Sequence, residues 1–171
     1  MGAFWWFLRN YRTWEWRPDL PAVAVGGLVF CVWLLFDYFT GGHAVRSMPI
    51  ALEQAPPVVR ITWIAFRVVG GVVVAPIAEE SAYRGFLMRW LISRAFESVS
   101  WRHFSAMAIF VSSIAYGLLH ERLWLAGTVA GILFALTLLR RGRIGDAVAA
   151  HATANALIAV WVLIGGDWHL W

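Results

Sequence analysis

Segments 21–39, 61–78, 104–119, 123–139 and 144–164 are apolar runs carrying at most one charged residue each. A helix needs about 20 apolar residues to cross the hydrocarbon core of a bilayer. No water is available there to satisfy main-chain N–H and C=O groups, so such runs are expected to be helical. Composition agrees: 61% of the 171 residues are hydrophobic and 14% are charged, where soluble domains carry about a quarter. The chain is therefore expected to be an integral, multi-pass membrane protein with membrane lipid as its solvent. The 12 Trp residues suit the membrane–water interface. The net charge of +4 comes from Arg alone. Those arginines lie mostly between the apolar runs, where they anchor loops, so no nucleic-acid partner is expected.

A sixth helix is expected over 79–96. It is apolar on one face but carries Glu79, Glu80, Arg84 and Arg89, which suits a helix packed inside the bundle. Pro76, just ahead of it, is expected to kink or break the chain. The predicted fold class is thus all-α, a polytopic bundle of about six transmembrane helices. Residues 1–20, rich in Trp and Arg, are expected to form an interfacial arm. Residues 21–171 then make one domain. Segment 40–60 is the longest connection. Gly127 and Gly131 form a GxxxG pair that lets two helices approach closely. Cys31 is the only cysteine and excludes an intrachain disulfide.

Ionisable groups inside a bilayer cost about 2.5–3.5 kcal/mol each on insertion scales, so function is the first explanation for them. Three clusters qualify. In AEESAYRG, Glu80 and Arg84 are four apart and can pair on one helix face. Glu79 points about 100° away and is left as the carboxylate suited to general acid–base work. In AYGLLHER, His120 ends an apolar run with Tyr116 one turn before it. In HATAN, His151 and Asn155 share a face at mid-membrane depth. With Glu79 beginning one helix and His120 ending its antiparallel neighbour, the groups could converge on one cavity. One carboxylate, two imidazoles and an amide could carry amide hydrolysis, with a base for water and donors for the oxyanion.

These three stretches, in this order over about residues 60–165, resemble the EExxxR, FxxxH and HxxxN motifs of the CPBP (Abi) intramembrane peptidases. That family includes the type II CAAX prenyl endopeptidases and bacteriocin-processing or self-immunity proteins. Tyr116 stands where the family usually has Phe, and its hydroxyl adds a donor near His120. Fewer helices precede the motifs than in the prenyl endopeptidases, so a prenylated substrate is not fixed by the resemblance. FESVSWRHF and GGDWHLW resemble a bacterial, exosortase-associated subgroup, which implies the bacterial inner membrane. The resemblance implies an endopeptidase acting on a membrane-anchored protein or peptide. Glu79 and His120 would activate water, His151 and Asn155 would stabilise the oxyanion, and Glu80 and Arg84 would shape the site. No cofactor is expected. The alternative is a divalent ion such as zinc on Glu79, His120 and His151, although HERLW departs from the HExxH zinc motif.

Two other functions use the same features. A proton- or ion-coupled transporter also buries Glu, Arg and His, but the inverted repeats typical of that class are not evident in the sequence. A non-catalytic immunity or binding protein of the same fold would be expected to have lost a motif residue.

Overall fold

The computed structural model describes residues 19–41 and 48–171. All but the last two residues of the expected interfacial arm lie outside them, as does Arg46 of the 40–60 connection. The architecture is all-α. Helix α1 spans Leu20–Phe39, α2 Pro57–Trp90, α3 Ala106–Leu118, α4 Trp124–Arg141 and α5 Ile144–Gly165, with a single turn at Ile50–Glu53 before α2. Four helical stretches, Leu20–Phe39, Pro57–Trp90, Glu121–Arg141 and Ile144–Gly165, are long and apolar enough to cross a membrane. Helix α3, at 13 residues, reaches only about 20 Å and falls short of the span expected over 104–119.

Local chemistry sets the ends. Asp19 caps α1, its carboxylate accepting from Ala22 N–H at 3.0 Å, with Pro21 in the first turn where it lacks nothing. Ser105 caps α3 through Ala108 N–H. Helices α4 and α5 stop at Gly142 and Gly166, both at positive φ, a conformation that glycine adopts without a Cβ penalty.

Pro76 does not break the chain. The segments expected at 61–78 and 79–96 form one helix of 34 residues, which removes one pass from the predicted bundle. The reason lies just upstream. Gly70–Val74 is a π-helical turn in which Ala75 N–H bonds Gly70 O, five residues back. A widened turn absorbs the ring that would clash with a regular α-helical carbonyl. A second π-helical segment follows at Ser81–Leu87.

Ion pairs fix the helix directions. Asp19 at the start of α1 meets Arg140 and Arg141 at the end of α4. Asp37, near the end of α1, meets Arg122 just before α4 at 2.6 Å. Helices α1 and α4 are therefore antiparallel. His169, beyond α5, reaches Asp37 at 2.9 Å, so α5 runs parallel to α1. Connections 91–105 and 142–143 then share the end of the bundle where α1 begins. Residues 40–41 and 48–56 lie at the other end, with residues 166–171.

The polarity is inside-out for a soluble protein. Ile61, Phe66, Phe110 and Ile164 face outward, while Glu80, Arg84, Ser112, Ser113 and Asp146 are wholly buried. Such a surface is solvated by lipid, and its polar interior is where function is expected. The Gly127/Gly131 pair does what its spacing suggested. A Cβ at Gly127 would meet Gly117 Cα and His120 Nδ1 at 2.9 Å, and one at Gly131 would meet Ser113 Cβ at 2.9 Å. Helices α3 and α4 pack through this strip.

Candidate active site

Glu80 and Arg84 lie one turn apart on α2 and are both fully buried, with Nε to Oε2 at 3.3 Å. The guanidinium lies 4.6 Å from the Tyr116 ring centroid and 5.7 Å from that of Phe134. Its terminal nitrogens find no hydrogen-bond acceptor among the described residues. Glu80 and these aromatic faces therefore hold the cation in place. Gly131 makes the room, since a Cβ there would stand 2.8 Å from Arg84 Nη2.

Glu80 does more than pair with Arg84. Its second oxygen, Oε1, lies 3.0 Å from His151 Nδ1, across 71 residues of sequence. Taking Nδ1–H as the donor to that carboxylate leaves His151 Nε2 turned toward the interior of the site. Phe134 stacks on the imidazole, centroids 4.8 Å apart and planes 14° from parallel. The ring is thus fixed in plane by a carboxylate and in depth by an aromatic face.

Two groups meet at His151 Nε2. The Tyr116 hydroxyl lies at 3.3 Å and Glu79 Oε2 at 3.8 Å. Tyr116 therefore sends its hydroxyl to His151 and not to His120, as its position in the sequence had suggested. His120 meets the main chain instead, Nδ1 lying 3.2 Å from Tyr116 O, and Trp33 of α1 packs edge-on against it at 5.0 Å. Glu79 sits in the middle of α2, not at the start of a helix. Its side chain keeps 29% of its surface exposed, whereas Glu80 keeps none. Of the two carboxylates only Glu79 is open to an incoming molecule.

A cavity of about 260 Å³ gathers these groups, lined by Glu79, Tyr116, His120, His151 and Asn155 among others. Glu80 and Arg84 stand behind the wall and hold it. Asn155 differs from expectation. Its Nδ2 donates to Gly71 O at 2.7 Å, so one amide hydrogen is already committed to the main chain of α2. The need arises from Pro76. In the π-helical turn Ala75 N–H is taken by Gly70 O. The next donor in that pattern would be residue 76, a proline without an N–H. Gly71 O is left without a helical partner, and Asn155 supplies one.

The alternative zinc site does not fit. Among the described residues no three of His, Cys, Asp and Glu are arranged to hold an ion. Both His151 nitrogens already face protein groups. The arrangement suits proton transfer between a carboxylate and imidazoles in a cavity with aromatic walls.

Phe134, Trp33 and the Glu80–His151 pairing were not evident from sequence. The first two are apolar residues within apolar runs, and nothing in their spacing sets them apart from packing. The last could have been suggested by asking what else a wholly buried Glu80 would need.

A family model for the type II CAAX prenyl endopeptidase, Rce1-like, matches residues 61–157. No curated protein and no solved structure matches the chain. The matched residues run from the first third of α2 into α5 and carry all three polar clusters that line or support the cavity. More than half of the sequence is covered, and the chain belongs to the Rce1-like type II CAAX prenyl endopeptidase family.

Proposed function

We propose that this protein is an intramembrane endopeptidase that hydrolyses a peptide bond in a membrane-anchored protein or peptide. One observation carries it: Glu79, the carboxylate left open, shares a cavity with His120 and His151, while Glu80 is locked between Arg84 and His151. Glu79, assisted by His120, takes a proton from water as its oxygen bonds to the scissile carbonyl carbon. The oxyanion that forms is met by His151 Nε2–H, the Nδ1–H being held by Glu80, and by the second N–H of the Asn155 amide. The intermediate collapses with cleavage of the C–N bond, and the proton held by Glu79 passes to the leaving amine.

Substrate class is the finer part of the proposal. The aromatic C-terminal stretch and residues 96–104 favour a bacterial inner-membrane peptidase of the exosortase-associated kind over one devoted to prenylated proteins. The test is to incubate purified protein in lipid with membrane-anchored candidate substrates, wild type beside Glu79→Gln. Cleavage by the wild type alone is expected. Equal cleavage by the Gln variant would remove Glu79 from the reaction.

A further inference from the structure

Residues after α5 double back over the cavity. Gly166, at φ +76°, turns the chain. Asp167 Oδ2 then accepts from Trp161 Nε1 at 2.6 Å. His169 Nε2 meets Asp37 Oδ2 at 2.9 Å. The same carboxylate takes Arg122 at 2.6 Å, and Arg122 also donates to Thr40 Oγ1 at 2.6 Å. So fastened, Leu170 and Trp171 enter the lining of the cavity that holds Glu79 and His120.

What receives them is Arg67. This residue also lines the cavity and sits on the part of α2, Pro57–Val69, that buries no residue. Its Nη2 donates to the main-chain oxygen of Trp171 at 2.9 Å, and its guanidinium lies 5.9 Å from the Trp171 ring. Trp63, one turn earlier, lies 6.2 Å from that ring. Among the described residues no Asp or Glu side chain pairs with Arg67. A guanidinium on an apolar helix is costly; here it meets the main-chain oxygen of Trp171 and an aromatic face together.

We infer that Arg67 and Trp63 form a peptide-binding subsite. Its ligand is a peptide segment that places a large aromatic side chain against Trp63 and a main-chain oxygen on Arg67. In this structure Trp168–Trp171 fills the subsite from within the same chain. Being tethered, the segment competes at a high effective concentration, so an incoming peptide must displace it. Equating that incoming peptide with the substrate rests on the proposed peptidase function; the binding itself does not.

The probe is a fluorescein-labelled, C-terminally amidated peptide, Asp-Trp-His-Leu-Trp, measured by anisotropy with protein in lipid nanodiscs. Empty nanodiscs give the background partition. Protein lacking residues 168–171 should bind the peptide, and the full chain about tenfold or more weakly. Arg67→Ala in the shortened chain should weaken binding about tenfold, the worth of a charged hydrogen bond. Arg67→Lys should fall between, since it keeps charge without the planar fork. Full-length His169→Ala/Trp171→Ala, which loosens the segment without removing it, guards against misfolding of the shortened chain and should also gain binding. Binding no better than empty nanodiscs in both loosened proteins, or binding indifferent to Arg67, would overturn the subsite. Arg67-dependent binding without cleavage of any substrate would instead remove the proposed reaction and leave the subsite standing.

Discussion

Asn155 donates to the main-chain oxygen of Gly71 at 2.7 Å, and that oxygen is the one Pro76 leaves without a helical partner. The bond ties α5 to the π-helical turn two helical turns ahead of Glu79. Truncating Asn155 to Ala should therefore destabilise the protein by about 1–2 kcal/mol, the cost of a partly buried acceptor left unmade. The diagnostic is the double variant. Pro76→Ala returns an N–H at position 76, so Asn155→Ala should cost less in that background. Unfolding in detergent micelles measures all four proteins. Strictly additive effects would show that Pro76 and Asn155 do not share Gly71.

The adjacent glutamates should separate fold from chemistry. Glu79→Gln keeps the shape of a cavity-facing side chain and should leave stability unchanged while lowering turnover at least about a hundredfold. Glu80→Ala strands Arg84 without its carboxylate and frees His151 to rotate. A loss of about 3–5 kcal/mol is expected for breaking a buried pair from one side. If Glu80→Ala were as stable as wild type, the Arg84 and His151 contacts would not be holding the wall.

The sequence announced these groups because charge in an apolar run is costly and therefore conspicuous. Glu79, Glu80, Arg84, His120 and His151 stand out for that reason alone. Phe134 and Trp33 orient two of those imidazoles and pass unnoticed, since an aromatic residue in a membrane helix is its ordinary filling. The boundary expected at Pro76 failed for a related reason. Pro76 was weighed by its own ring, whereas the outcome was decided by the turn before it and by an amide 79 positions later. Asn155 was read by its spacing from His151, which placed it on the correct face but could not reveal that half of its amide serves Gly71.

Chelation should leave activity intact. The donor set does not close around an ion, and the proposed reaction has Glu79 and His120 activate water without one. Turnover after exhaustive treatment with a strong chelator should match the untreated enzyme. Loss of turnover, with recovery on adding zinc, would mean that the cavity rearranges into a metal site.

Asp19 gives a pH dependence of known sign. Its hydrogen bond from Arg140, together with Arg141 and the Ala22 N–H, holds the carboxyl at about 2, below its ordinary 3.8. A depressed folded value means that the contribution is fully present above 3.8 and is lost as pH falls toward 2. Thermal unfolding of Asp19→Asn should therefore lack part of the wild-type decline across that window. Parallel curves would show that the cap and its arginines add nothing.

Orientation follows from the helix directions together with the arginine distribution. The end shared by connections 91–105 and 142–143 carries Arg94, Arg102, Arg140, Arg141 and Arg143. The opposite end carries Arg60, Arg67 and Arg122 among the described residues. Five against three favours a cytoplasmic first end by the positive-inside rule. Arg67, His120, Leu170 and Trp171, which line the cavity, all belong to the second end, so the site should open to the exterior face. Single cysteines decide this, introduced as Gln54→Cys and Ser100→Cys in a Cys31→Ser background. In intact cells a membrane-impermeant thiol reagent should label the first protein and spare the second until the cells are lysed. The reverse pattern would turn the cavity toward the cytoplasm. Labelling of both in intact cells would mean that positions 54 and 100 lie on the same side, which a single α2 crossing does not permit.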